Sequence, residues 1–286
     1  MSNRPSSDIG SVVSLWRYPV KSMMGEELPA TSVTDGGLLG DRGYAVIDQS
    51  TGKIASAKYP RKWGKLFDFR AAFLEPPHPG ELLPPVRMTL PDGTIVTSAQ
   101  EHVHACLSRV LEREVTLTTT RPASPSVEVE RLDALDPAET ILDIGAFMMP
   151  GRFADYAAVH LLTTATLDRL RALYPHGRFE ARRFRPNIVV EPASGQQDFV
   201  ENAWVGHSLA IGEEVRLRIT DPMPRCVMTT LPQGDLPRDL GILHTVTQHN
   251  QVGIPVLGGA VRPSVGVCAF VLQGGMIRRG DAVRMV

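Results

Sequence analysis

Cysteine is scarce in this chain: Cys106, Cys226 and Cys268 are all it has, widely spaced and without a Cys-x-x-Cys pair. An odd, scattered set speaks against a disulfide framework and for a reducing, cytoplasmic compartment. The missing pair also argues against a structural zinc site and against an iron–sulfur cluster held by four cysteines. No run of about 18 apolar residues occurs, so no membrane span is expected, and the segment Met1–Asp8 lacks the apolar stretch of a signal peptide. Charge of one sign is not in excess: 30 Lys and Arg stand against 31 Asp and Glu, which removes the global field that nucleic acid or an anionic membrane would use. There is no Gly-x-Ser-x-Gly, no Walker loop and no Gly-x-Gly-x-x-Gly opening a helix. A small-molecule partner at a local cluster of groups is the remaining expectation.

What the 286 residues do contain is punctuation: 25 glycines and 23 prolines cut the chain into short Val-, Ile-, Leu- and Thr-rich segments. This pattern predicts a mainly β (α+β) protein, and the length suits two domains. Val12–Tyr18 reads as a first strand stopped by Pro19. Tyr44–Asp48 and Lys53–Ala57 read as a hairpin around Gln49-Ser50-Thr51-Gly52, and Val86–Leu90 with Thr94–Thr97 as a second hairpin around Pro91-Asp92-Gly93. Ser98-Ala99-Gln100-Glu101 has capping-box spacing, and Ala99, Val103, Cys106, Leu107, Val110 and Leu111 follow at helical intervals. His102 and His104 lie two apart on that helix and cannot share a metal. Thr118–Pro137 has no apolar period and predicts a linker. Beyond it a helix opens at Thr164 or Thr166 and stops at Pro175, a further short helix is possible within Leu236–Asn250, and the strands Asn187–Val190, Val215–Thr220, Val265–Val271 and Ala282–Val286 suggest a barrel or strongly curved sheet.

Chemistry is most legible at Cys226, which follows two prolines and Arg225 in Asp221-Pro222-Met223-Pro224-Arg225-Cys226. A neighbouring guanidinium favours thiolate, the form that attacks electrophiles and binds soft metals; a small buried hydrophobe is the alternative. Cations recur at the joints of predicted strands: Lys21 beside Ser22, Arg42 after Gly40-Asp41, and Arg182, Arg183 and Arg185. Lysine and arginine in such places suit a phosphate or a pyranopterin, or are solvated surface charges. Arg185-Pro186-Asn187 either puts a charge and an amide on one face of an extended chain or forms an Asx turn. His160 either pairs with Cys226 as a cysteine-hydrolase dyad or is a structural histidine. Lys58, Arg61, Lys62 and Lys65 around Trp63 read as a solvated loop, with a lid over an anion as the other possibility.

Taken in order, Tyr18-Pro19-Val20-Lys21-Ser22, Gly40-Asp41-Arg42, Phe184-Arg185-Pro186-Asn187-Ile188 and Pro224-Arg225-Cys226-Val227-Met228-Thr229-Thr230 resemble the MOSC family, named for the C-terminal domain of molybdenum-cofactor sulfurase. Within it the likeness is to the branch of the mitochondrial amidoxime-reducing component and its bacterial relatives. The resemblance implies an N-terminal β-barrel domain at 8–120, a linker at 121–137 and a MOSC β-barrel with a few helices at 138–286. It implies a molybdenum pyranopterin between the domains, with Cys226 as catalytic metal ligand and Lys21, Ser22, Arg42, Arg185, Asn187 and Arg225 holding phosphate and pterin. Thr163 and Thr164 match a further cofactor-contacting stretch. The implied activity is a molybdenum-dependent oxidoreductase that reduces small N-hydroxylated substrates, supplied by a separate electron-donor protein of ferredoxin, flavin-reductase or cytochrome type. No iron–sulfur cluster is expected in this chain. A carrier of sulfur or molybdenum cofactor, using Cys226 as persulfide or docking thiol, is the alternative. Pro224 stands where relatives often have serine and Cys268 where many have an aromatic, changes that fall on the substrate side.

Overall fold

In a computed structural model, residues 8–130, 141–143, 151–193, 195 and 198–286 are described. Seven strands close into a barrel, in the order Val159–Thr163, Ile188–Pro192, Asp8–Arg17, Ala282–Met285, Ser208–Ile211, Val215–Pro224 and Ala260–Gln273, with the last pairing back onto the first. All neighbours run antiparallel except Val159–Thr163 and Ile188–Pro192, which are parallel. The parallel pair needs a crossover, and the helix Thr164–Leu173 and the short helix Ala181–Phe184 lie within it.

Alternation builds this barrel. In Val215-Arg216-Leu217-Arg218-Ile219 the aliphatic residues are buried and the arginines face outward, as a period of two requires. Val12, Leu15, Ile188, Val190, Leu209, Ile211, Val267 and Val283 meet them in one core. The strand Asp8–Arg17 supplies two of these, so the strand expected to open the N-terminal unit is a stave of the barrel, paired on its edges with Ile188–Pro192 and Ala282–Met285.

A second core gathers Val20, Met23, Trp63, Phe69, Met88, Leu107 and Leu117. It lies among the sheet Arg70–Phe73, Val86–Thr89 and Ile95–Thr97, the pair Ala45–Asp48 with Val115–Thr118, and the helix Val103–Leu111. The hairpin at Pro91-Asp92-Gly93 forms as expected. The one at Gln49–Gly52 does not: Ala45–Asp48 pairs instead with Val115–Thr118, and only a single bridge, Ile47 to Ile54, joins it to the returning segment. The capping-box serine also has another task. Ser98 Oγ accepts from the Val86 amide at 3.0 Å, and the helix begins later, at Val103.

The downstream helix is capped by Thr163, whose hydroxyl accepts from the Thr166 amide at 3.2 Å, and Gly241–His249 forms a further helix of that half. Of the expected linker, 121–130 includes a strand, Glu128–Glu130, paired with Ile141–Asp143, and Val127 is buried. Residues 131–137, and residue 138 where the second unit was expected to begin, lie outside the described residues.

Candidate functional site

Between the two cores lies a cavity of about 280 Å³. Its first wall comes from two N-terminal segments laced edge to edge. The Lys21 amide donates to Tyr44 O at 2.9 Å, the Arg42 amide to Tyr18 O at 2.7 Å, and the Tyr18 amide to Asp41 Oδ1 at 2.9 Å. Gly40 permits this course: its φ is +80°, and a Cβ there would stand 2.6 Å from the Phe73 ring. Ser22, Arg42 and Arg185, all lining the cavity, have φ of 65°, 49° and 54°. Left-handed backbone costs a non-glycine residue roughly 1–2 kcal/mol, and such strain persists where surrounding contacts impose it.

Seven of the residues singled out in the sequence converge here: Lys21, Ser22, Arg42, Arg185, Asn187, Arg225 and Cys226 line the same cavity. Thr163 and Thr164 do not. Thr163 is fully buried behind the strand, donating to Glu201 Oε2 at 2.6 Å, and Thr164 is the first residue of the helix it caps. Asn187 is neither an Asx turn nor a free ligand group. Its Oδ1 accepts from the His160 amide at 3.1 Å and from Arg42 Nη1 at 3.4 Å, and its Nδ2 donates to Trp16 O at 3.2 Å, so the amide ties the barrel to the N-terminal wall. Arg185 is not extended; it is the left-handed cap of the helix Ala181–Phe184.

The cations are held in different ways. Arg42 and Arg185 lie on the Tyr18 ring, at 4.6 and 4.2 Å from its centroid, and Arg185 Nη1 donates to Met23 O at 2.8 Å. Arg225 spends its donors on the protein, reaching Val265 O with Nε at 2.9 Å, Phe184 O with Nη1 at 3.0 Å and His160 Nε2 with Nη2 at 2.5 Å. Burial pushes Arg185 and Arg225 down to about 10, so both stay charged at neutral pH. His160 is held well below its ordinary value, first by burial and then by Arg225. It is therefore neutral, and its Nε2 accepts from Arg225. That is a structural pairing rather than the Cys226 dyad. Gly266 makes room for it: with φ of +76°, a Cβ there would fall 2.3 Å from His160 Nε2.

Cys226 is half-buried on the cavity wall, and its carbonyl accepts from the Thr229 amide and hydroxyl at 3.2 and 3.1 Å. Cys268 is fully buried, its Sγ 3.7 Å from Met223 Sδ, and burial pushes its thiol up to about 12. It is a protonated wall thiol; Cys226 is the one open to a ligand.

Three participants escaped the sequence. Lys58, in the run read as a solvated loop, lines the cavity and pairs with Asp155 at 2.7 Å; Lys21 Nζ meets the same carboxylate at 2.5 Å. Asp155 is raised by burial yet driven well below the ordinary carboxylate range by these two lysines. Burial lowers Lys21 despite Asp155, whereas in Lys58 burial is outweighed by Asp155 and Cys226 and the value rises. Arg61, Lys62 and Lys65 are likewise ion-paired, to Glu130, to Asp48 and Glu128, and to Glu112. The third is Asp221, whose Oδ2 accepts from Tyr156 OH and Oδ1 from the Val256 amide, both at 2.8 Å. It stands directly before Pro222-Met223-Pro224-Arg225-Cys226, so its place in that motif was the available signal. Asp155 offered none, since its lysines are distant in sequence.

Barrel, laced N-terminal wall and a cationic cavity bearing one accessible thiol define the class: a β-barrel protein with its candidate site at the seam between barrel and N-terminal wall. The chain belongs to the MOSC family, with the MOSC domain matching residues 150–284 and the MOSC N-terminal beta barrel domain residues 9–67. Similar proteins include mitochondrial amidoxime reducing component 2 of Rattus norvegicus, 26% identical over 242 residues, covering 80% of this chain and 68% of that protein. Mitochondrial amidoxime-reducing component 1 of Homo sapiens is 28% identical over 245 residues, covering 78% and 66%; this chain thus spans about two thirds of the length of each. Among solved structures, the YUAD protein from Bacillus subtilis aligns over 98% of this chain and 97% of its own, at 10% identity and a TM-score of 0.46. Among the described residues, no helix is long and apolar enough to cross a membrane.

Proposed function

We propose that the protein is a cytoplasmic molybdenum-cofactor oxidoreductase that reduces N-hydroxylated compounds such as amidoximes and hydroxylamines, with electrons from a separate donor protein of ferredoxin, flavin-reductase or cytochrome type. The observation that carries this reading is the convergence of Cys226 with Lys21, Arg42 and Arg185 on one cavity. A thiol is a suitable soft metal ligand, and fixed cations suit a phosphate-bearing pterin, so the donor set fits the group. The names of the similar proteins agree with it. The same reading divides the chain into an N-terminal unit at 8–120, a connection at 121–137 and a MOSC unit at 138–286. Three unpaired cysteines suit a reducing compartment.

When bound, the cofactor would supply two-electron oxygen-atom removal: the substrate N–O bond breaks, and two electrons and two protons carry its oxygen away as water. The chain's own residues bind and orient. Cys226 would hold the metal. Lys21, Arg42 and Arg185 would bind the phosphate and pterin, Ser22 would donate to them while its oxygen accepts from the Ala57 amide at 3.1 Å, and Lys58 would add a second ammonium. Asn187 and Arg225 would act mainly by fixing the walls, since their donors are engaged within the protein.

The test is metal and pterin analysis of protein made in a host that synthesises the cofactor, followed by turnover with a reduced donor and an amidoxime. Stoichiometric molybdenum that is lost in Cys226→Ala, together with consumption of substrate, supports the reading. Holoprotein that transfers sulfur or cofactor but consumes no substrate assigns the chain to the carrier class, and absence of cofactor under every condition ends the proposal.

A further inference from the structure

The cavity is not uniform. Its lining includes the cations Lys21, Lys58, Arg42 and Arg185 and also an apolar group, Met223, Ile254, Val256 and Leu257, with the aromatic Tyr156; Val256 and Leu257 form its apolar lip. Val256 and Leu257 are 40% and 42% exposed, an unfavourable setting for aliphatic groups unless something covers them. They sit in the turn Pro255–Leu257, at the tip of the hairpin Gln251–Ile254 with Ala260–Gln273.

One buried carboxylate sets the spacing of this lip. Asp221 is 2% exposed. Its two oxygens hold the Val256 amide and the Tyr156 hydroxyl, each at 2.8 Å. Tyr156 packs edge-on against Phe270, with ring centroids 5.5 Å apart. Burial, aided by the bond to Asp221, pushes the Tyr156 phenol up to about 12, so it remains a donor. The hairpin tip and the aromatic, both lining the cavity, are thus tied through a single side chain.

We infer that this lip is the specificity element of the site, receiving a flat apolar body carried by the substrate, with Val256, Leu257 and Tyr156 as its contacts and Asp221 as the positioning residue. The inference rests on the proposed reduction of N-hydroxylated compounds and names the preferred members: aryl or bulky alkyl amidoximes over small polar ones. The reacting N–OH group points inward to the thiol-bearing end, and the apolar group displaces water from the two exposed aliphatic side chains. A pocket contact of one methylene is worth roughly tenfold or more in discrimination, and a phenyl ring offers several.

The experiment is titration of the holoprotein with benzamidoxime and with acetamidoxime by calorimetry, beside turnover of each. The wild type is expected to bind benzamidoxime at least tenfold tighter. Val256→Asp, at an exposed position, should abolish that preference by weakening benzamidoxime binding at least tenfold, with molybdenum content unchanged. Asp221→Asn should raise KM for benzamidoxime more than it lowers kcat, because it loosens the lip and leaves the thiol end in place. Equal affinity for the two ligands in the wild type, a Val256→Asp variant that keeps the preference, or failure of benzamidoxime to bind overturns the inference. Preferential binding without any turnover upholds the lip and removes the reductase reading, so the two fail separately.

Discussion

Asp41 and Arg152 are 111 residues apart in the chain and meet at 2.7 Å, with the carboxylate wholly shielded from water. The same Asp41 oxygen meets Arg42 at 2.5 Å, and its other oxygen accepts from the Tyr18 amide. One carboxylate therefore anchors the cavity's N-terminal wall to the segment that leads into the barrel.

Replacing Asp41 with Asn should be costly, because it leaves two guanidiniums without their shared counter-charge. Removing one partner of a buried pair costs about 3–5 kcal/mol. Burial raises the Asp41 carboxyl, but Arg42 and Arg152 outweigh it and hold the value below the ordinary range. A depressed carboxylate stabilises the fold above the unfolded value near 4 and loses that contribution as pH falls through the folded one. Urea unfolding of the wild type should therefore weaken with acidification below about pH 4, and Asp41→Asn should be less stable at pH 7 with a flatter acid limb.

His160 sets a second pH dependence. Its folded value lies well below that of the unfolded chain, so the unfolded state takes up a proton first. Stability should be full above about pH 6.5 and decline below it until the folded value is reached. His160→Gln, which keeps an acceptor for Arg225, should remove this slope when unfolding midpoints are compared across pH 4.5–7.5, a range chosen to span the about 6.5 reference value.

Gly266→Ala should destabilise strongly. The added methyl would meet His160 Nε2 and Leu161 O, at 2.3 and 2.4 Å, from a backbone with φ of +76°. Left-handed strain and overpacking together should cost about 2–5 kcal/mol, measured as a lower denaturant midpoint.

Lys58→Ala should weaken retention of an anionic ligand. Asp155 is shared between Lys21 and Lys58, so the trio carries one net positive charge and the variant none. Loss of one charged donor corresponds to roughly tenfold in affinity. The molybdenum-to-protein ratio after gel filtration should fall, and fall further at high salt.

The barrel strands were legible because alternation is local: Val215–Ile219 announces its inner face without reference to any neighbour. Partner choice was not. Ala45–Asp48 has a good turn after it, yet Val115–Thr118 offers a longer ladder and wins. The site divides the same way. Cys226, Arg42 and Arg185 sit in short motifs with unusual neighbours, which is why the sequence singles them out, and they line one cavity. Lys58 and Asp155 become meaningful only when the fold brings them together, and Thr163 lies off the cavity because its hydroxyl caps a helix, a role that looks the same in sequence as ligand binding.

The placement of Asp8–Arg17 bears on biogenesis. Asp8 and Arg284 form an ion pair across 276 residues, the strand's other barrel neighbour is Ile188–Pro192, and only Leu15, Trp16 and Arg17 find a local partner, in Glu26–Leu28. A ribosome releases it long before either barrel partner exists, so during translation most of its length is an unpaired edge of the kind that invites misassembly. Tyr18–Ser22 follow directly on that strand, so the course of their wall depends on late-made staves as well as on the tie from Asp41 to Arg152. Protection of that edge by a holdase would then raise the yield of correctly folded protein.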